Sequence, residues 1–289
     1  MYQKQSVNRL WIILGLGIFC IGMGLAAFLD LPLTASLYRP TQPAAIWMEC
    51  FGFYPIYLPA ALWLFSKLFP PACGKVRISA FLALGALLIF LGQYSISHLV
   101  RRGVSHAFAI TVPVWISAIA ILAVLYICFV RRNALAAAKL RFCAWFGTVY
   151  LASHCVLIYV LKTIWSRTRF EDMLAAGNFE AFTSWLSPFG NGGSSFPSGH
   201  TAAACGIFVL AVLCDLFPSW NRHRFLVWAG CWLYVGCMAF SRLMMGRHFL
   251  SDTLAAGALM AALFLILTHT AWYKQSAEAV CRQGETHNE

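Results

Sequence analysis

The sequence predicts an all-α membrane protein, a polytopic transmembrane bundle of about eight spans forming one domain over residues 1–289. Three observations carry this. The chain is 61% hydrophobic and only 11% charged, whereas a soluble domain carries roughly 25% charged residues. Several apolar runs exceed the roughly 18 residues that mark a spanning helix. Charge, Pro and Gly collect at the ends of those runs.

The apolar segments cover about 10–29, 52–69, 78–98, 107–130, 144–163, 200–217, 225–242 and 252–272. The first follows Lys4 and Arg9. It is longer than the roughly 7–15 residue core of a signal peptide and no clear cleavage site follows, so it is expected to stay as an uncleaved span. The second is the weakest, because Pro55 and Pro59 interrupt it. A polar tail, about 275–289, is expected to fray.

Charge placement orients the bundle. With the N-terminus in the cytoplasm, thirteen of the 21 Lys and Arg residues fall inside and eight outside, as the positive-inside rule requires. Five of the outer eight (Lys162, Arg167, Arg169, Arg242 and Arg247) lie in motifs with chemistry of their own, leaving Arg39, Arg101 and Arg102 as exceptions. Both termini are therefore expected in the cytoplasm, with residues 164–199 and 243–251 on the outer face. The net charge of +11 fits a partner among anionic membrane lipids and does not call for nucleic acid. Eleven cysteines form no CxxC or zinc spacing, so they read as small apolar fillers and not as a disulfide framework.

Three clusters carry the chemistry. Lys162 and Arg169 flank the end of the fifth segment, where cations also complement the helix dipole. Pro197-Ser198-Gly199-His200 opens the sixth, with Ser198 as N-cap and Gly199 permitting close approach of an anion to free N–H groups. Arg242, His248 and Asp252 bridge the seventh and eighth segments. His248 and Asp252 are spaced i, i+4 and would share a face on a helix. A carboxylate on one imidazole nitrogen leaves the other free as nucleophile or base. Taken singly, each cluster also reads as a snorkelling pair, an ordinary helix start or an interfacial ion pair. Together, four helix ends meet at one membrane surface with complementary chemistry. His98, His106, His154, His223, His269 and His287 read as structural or solvated. The absence of HExxH or an Asp-rich cation site implies no metal or other cofactor.

The order KTIWSRTR, then PSGH, then SRLMMGRHFLSD resembles the three-part signature of the type 2 phosphatidic acid phosphatase superfamily, relatives of the vanadium haloperoxidases. The match runs from Lys162 to Asp252, with Phe170 standing where the family commonly has Pro after the arginine. The resemblance implies a six-helix phosphatase core plus two added spans. It implies His248 as nucleophile forming a phosphohistidine, Asp252 orienting it, and His200 as acid and then base. Lys162, Arg169, Arg242, Ser198 and the Gly199 N–H would hold the phosphoryl oxygens, a task of positioning and charge neutralisation. The expected activity is hydrolysis of a lipid phosphate or diphosphate at the periplasmic or extracellular face of a cell membrane. Undecaprenyl diphosphate, phosphatidylglycerol phosphate, phosphatidic acid and lipid A are the candidate substrates. Arg101, Arg102, Arg167 and Arg247 lean towards a multiply charged head group. A lipid phosphotransferase would use the same phosphohistidine. A transporter of anionic lipids would instead place its site near the midplane on broken helices.

Overall fold

The computed structural model describes residues 9–68, 73–125, 127, 134–190 and 192–282. Helices α1 (Arg9–Leu37), α2 (Pro43–Phe51), α3 (Leu58–Ser66), α4 (Gly74–Arg101), α5 (Ala107–Leu125) and α6 (Ala134–Trp165) form the N-terminal half. The short α7 (Phe170–Ala176) lies in the loop that follows. Then come α8 (Gly199–Ala204), α9 (Leu210–Leu216), the one-turn α10 (Pro218–Asn221), α11 (Arg224–Met244), α12 (Leu250–His269) and α13 (Ala271–Arg282). A 3₁₀ stretch, Cys205–Val209, joins α8 to α9 into one 18-residue span.

Among the described residues, six helices are long and apolar enough to cross a membrane, and the bent pair α2–α3 makes a seventh. The fourth expected segment, 107–130, appears as the shorter apolar helix Ala107–Ile121. Lys4 and His287, with Arg131 and Arg132 among the thirteen inner cations and Cys128 among the eleven cysteines, lie outside the described residues.

The second segment differs most from expectation. It begins earlier, at Pro43, and bends by 47° between its two halves. A 3₁₀ turn, Tyr54–Ile56, sits at the break. Pro55 and Pro59 remove two backbone donors there, so an uninterrupted i→i−4 ladder cannot run through. The polar tail differs too: α13 continues to Arg282, because Tyr273 and Ala277 bury one face against the bundle.

Lipid tails are as apolar as leucine, so helices in a bilayer associate by close packing of small residues. Ala202, Ala203 and Ala204 on α8 and Ala255 and Ala256 on α12 are buried and supply that surface. A Cβ on Gly206 would stand 2.3 Å from the Ile56 Cα, so the α8–α9 span touches the broken turn only because this residue lacks one. Interleaved rings of Phe146, Tyr150, Phe208, Phe264 and Tyr273 fill the core. Large apolar residues such as Ile18, Phe28, Phe81, Phe225 and Leu233 point outward, as lipid-facing positions should.

Candidate active site

The ends of α4, α6, α8, α11 and α12 converge with α2 at one end of the bundle, and every chemistry-bearing residue named from the sequence lies there. A doubled backbone builds the floor. After α6 the chain runs out through 166–169, and 189–190 and 192–195 lie beside it on the return. Gly190 N–H donates to Trp165 O (3.0 Å), Gly193 N–H to Ser166 O (2.9 Å) and Ser195 N–H to Arg167 O (2.8 Å). A Cβ on Gly193 would fall 2.2 Å from the Arg167 carbonyl oxygen, so only glycine allows this pairing. It delivers Ser194 to both cations of the first motif. Lys162 Nζ donates to the Ser194 carbonyl and Arg169 Nη2 to its hydroxyl (2.7 Å).

Ser198 caps α8 as expected, accepting from Thr201 N–H (3.3 Å). Its hydroxyl is fully buried and also bonded to Thr201 Oγ1 at 2.9 Å. In this structure the hydroxyl is therefore occupied by the cap. Gly199 begins the helix, with its Cα side facing the Lys162 stem.

His248 lies in the loop between α11 and α12, not on a helix with Asp252. Its Nδ1 is 2.6 Å from the Ser195 carbonyl oxygen and 3.6 Å from Asp252 Oδ2. The orienting partner is thus the Ser195 carbonyl, and Asp252 acts beside it as a nearby charge. A carbonyl only accepts, so Nδ1 carries the proton and Nε2 keeps its lone pair. Burial pushes the His248 pKa down to about 3, although the Asp252 carboxylate opposes the shift. The ring is neutral near pH 7.

Asp252 sits at the third position of α12 and reaches back to accept from Phe249 N–H (2.8 Å) and Ser195 Oγ (2.5 Å). Its other oxygen takes Arg167 Nη1 at 2.7 Å. Arg167 is fully buried. It also donates to Asp30 (2.9 Å), Ser251 Oγ (2.8 Å) and Thr183 O (2.7 Å), and stacks on Phe249 at 4.2 Å. Arg167 is therefore neither a solvated neighbour nor a head-group cation, as the sequence left open. It holds the carboxylate beside the histidine.

His200 Nε2 lies 3.2 Å from the Glu49 carbonyl and 3.1 Å from Tyr94 Oη. Its ring meets Phe53, and Tyr94 stacks on His98 at 4.1 Å between centroids. His98 thus belongs to the site's wall. Arg242 is fully buried, donating to Ala45 O at 3.3 Å with Nη1 at 3.4 Å from Glu49. Glu49 also pairs with Arg102 (2.9 Å) and Arg247 (3.3 Å), and both arginines reach Glu171. Of the four arginines behind the lean towards a multiply charged head group, only Arg101 is outside these pairs. Arg102, Arg167 and Arg247 are all engaged by carboxylates inside the protein.

Among the six buried side-chain nitrogen and oxygen atoms described without a hydrogen-bond partner are Arg169 Nε and Arg242 Nη1, the second of them still in an ion pair with Glu49 at 3.4 Å. Buried donors are nearly always satisfied, and both belong to the cations expected to hold a phosphoryl group. Among the described residues no group of three or more His, Cys, Asp or Glu could hold a metal ion.

Sequence reasoning missed Asp30, Glu49, Tyr94, Ser194 and Ser195. The available signal was weak: Asp30 and Glu49 are isolated acids at the edges of apolar runs, and the serines sit in a glycine-rich loop.

No curated protein and no solved structure matches the chain. Residues 142–276, from α6 to α13, match the family model described as PAP2 superfamily. That stretch contains all three motifs with His200 and His248, and over it the chain is similar to the PAP2 superfamily.

Proposed function

We propose that the protein is an integral-membrane phosphatase that cleaves phosphate from a lipid phosphate or diphosphate through a phosphohistidine, without a metal. The observation that carries this is the state of His248. Its Nδ1 proton is committed to the Ser195 carbonyl, leaving the Nε2 lone pair for attack. Lys162 and Arg169 lie within electrostatic reach of the ring, and Arg169 Nε, buried without a hydrogen-bond partner, is a donor for an oxyanion.

In the proposed reaction, His248 Nε2 attacks phosphorus, and an N–P bond forms as the ester P–O bond breaks. His200 gives a proton to the leaving oxygen. The positive charge on the phosphorylated ring is offset by Asp252. His200 then takes a proton from water, the resulting hydroxide attacks phosphorus, the N–P bond breaks, and phosphate leaves. Lys162, Arg169, Arg242 and the Gly199 N–H neutralise the equatorial oxygens throughout.

The motifs lie at helix ends, where a lipid head group sits, which favours an enzyme over a midplane transporter. Charge bias supports the outer face. The test is phosphate release by detergent-solubilised protein across phosphatidic acid, phosphatidylglycerol phosphate, undecaprenyl diphosphate and lipid A, with chelator present. Metal-independent release from at least one lipid is expected. Loss of activity in EDTA with recovery in magnesium, or no release from any lipid, would sink the reading. Phosphate passed to a second lipid without free phosphate would identify a phosphotransferase.

A further inference from the structure

We propose that Asp30, on α1 and outside the matched family region, is a positioning residue that sets the charge beneath the nucleophilic histidine. This rests on the phosphohistidine reading above. Asp30 lies in the first apolar helix, yet it is almost completely buried at 1% exposure. A carboxylate inside a membrane helix is costly and marks function or pairing.

Its contacts are specific. Oδ1 accepts from Ser251 N–H at 2.9 Å, and Oδ2 accepts from Ser251 Oγ (2.5 Å) and Arg167 Nη2 (2.9 Å). Ser251 N–H is one of the free donors in the first turn of α12. Asp30 therefore caps α12 from another helix, one residue before Asp252 and three after His248.

The charge count explains why this matters. Arg167 is shared between Asp30 and Asp252. The buried trio carries one positive and two negative charges, a net charge of −1. With Arg167 and Asp252 alone the sum would be zero. Asp30 draws on Arg167 and leaves Asp252 a net negative charge facing His248 at 3.6 Å. That charge is needed only when the ring becomes positive, as Nε2 bonds to phosphorus. An interaction that strengthens only in the transition state raises kcat and leaves ground-state binding alone. The phosphate-binding cations Lys162, Arg169 and Arg242 do not contact Asp30, so KM should not report on it.

The experiment compares Asp30→Asn, Asp30→Glu and the control Asp215→Asn in the full-length protein, using phosphatidic acid, phosphatidylglycerol phosphate, undecaprenyl diphosphate and lipid A, each with radiolabelled phosphate, and taking kinetics on whichever of them the wild type hydrolyses. Asp215 is also a carboxylate held by an arginine and a hydroxyl, Arg224 and Tyr273, at the opposite end of the α8–α9 span. Asparagine would turn an N–H₂ towards Arg167 and free that guanidinium to neutralise Asp252. Asp30→Asn should lower kcat and the rate of phosphoenzyme formation by about ten- to a hundredfold, the size of one lost hydrogen bond to a charged group, with KM within about twofold. Asp30→Glu should recover part of kcat, and Asp215→Asn should keep the wild-type kcat whatever its stability. A folded Asp30→Asn protein with wild-type kcat, or a loss expressed in KM, would overturn the proposal. If Asp30→Asn does not fold, Asp30→Glu decides: a severalfold lower kcat at constant KM supports the role, and unchanged kcat refutes it. Absence of labelling in the wild type itself would instead refute the phosphohistidine reading.

Discussion

Replacing Arg167 by methionine tests the buried cluster under the histidine most severely. Methionine matches much of the stem volume but removes five contacts at once: Asp30, Asp252, Ser251, the Thr183 carbonyl and the Phe249 face. Two carboxylates, each no more than 1% exposed, would remain without their cation. Removing one partner of a buried ion pair costs about 3–5 kcal/mol, and two stranded acids put this case at the upper end. At about 2–4 °C per kcal/mol for a domain of this size, the thermal midpoint should fall by about 10–20 °C. Thermal unfolding in detergent, followed beside phosphate release, measures both consequences. Activity should drop below a hundredth of wild type, since Asp252 would either take a proton or leave the Ser195 hydroxyl. Arg102→Met, whose arginine is 13% exposed, should cost much less stability. A wild-type midpoint with wild-type turnover in Arg167→Met would refute the idea that this arginine organises the site.

Three further outcomes follow from the geometry. Tyr94→Phe removes the hydroxyl beside His200 Nε2. One hydrogen bond is worth about 0.5–1.5 kcal/mol, so kcat should fall about two- to tenfold with the fold intact, and an unchanged kcat would separate Tyr94 from catalysis. His248 has a pKa pushed below the ordinary value to about 3. Its folding contribution is complete above the ordinary histidine value near 6.5 and is lost as pH falls towards 3. The ¹⁵N ring signals of His248 in the free protein should therefore not move between pH 8 and 5, and a midpoint near 6.5 would contradict its burial. For the proposed topology, a cysteine probe at Asn178 in a Cys-free background should be labelled from outside, and one at Asn221 should not. The reverse pattern would invert the bundle.

The spans were readable because membrane insertion demands long apolar runs, and that demand is written locally in the sequence. The three motifs were readable for a related reason: cations and histidines stand out against apolar helices, and their positions at segment ends placed them on one surface. Long-range partners were not readable. Nothing near Asp30 says that Arg167, 137 positions later, will meet it. Glu49 lay just before the expected start of the second segment, and only the bend at Tyr54–Ile56 brings its carboxylate to Arg242 and its carbonyl to His200. The spacing of His248 and Asp252 suggested a shared helical face. The actual partner of Nδ1 is a main-chain carbonyl, which no side-chain pattern can announce. The lean towards a multiply charged head group lost three of its four arginines similarly, because arginine positions do not show which acids engage them. In the same way, the amphipathic burial of Tyr273 and Ala277 made a helix of residues that composition alone marks as a tail.

The central claim is that His248 Nε2 becomes phosphorylated while His200 moves protons. Radiolabelled lipid phosphate, quenched in alkali where phosphohistidine survives, measures this directly in wild type, His248→Ala and His200→Ala. The account predicts an acid-labile label in wild type, none in His248→Ala, and residual label in His200→Ala with turnover reduced by at least the roughly 10²–10⁴-fold typical of a lost acid–base group. Label that persists in His248→Ala and disappears in His200→Ala would assign the two histidines the opposite way and contradict the account.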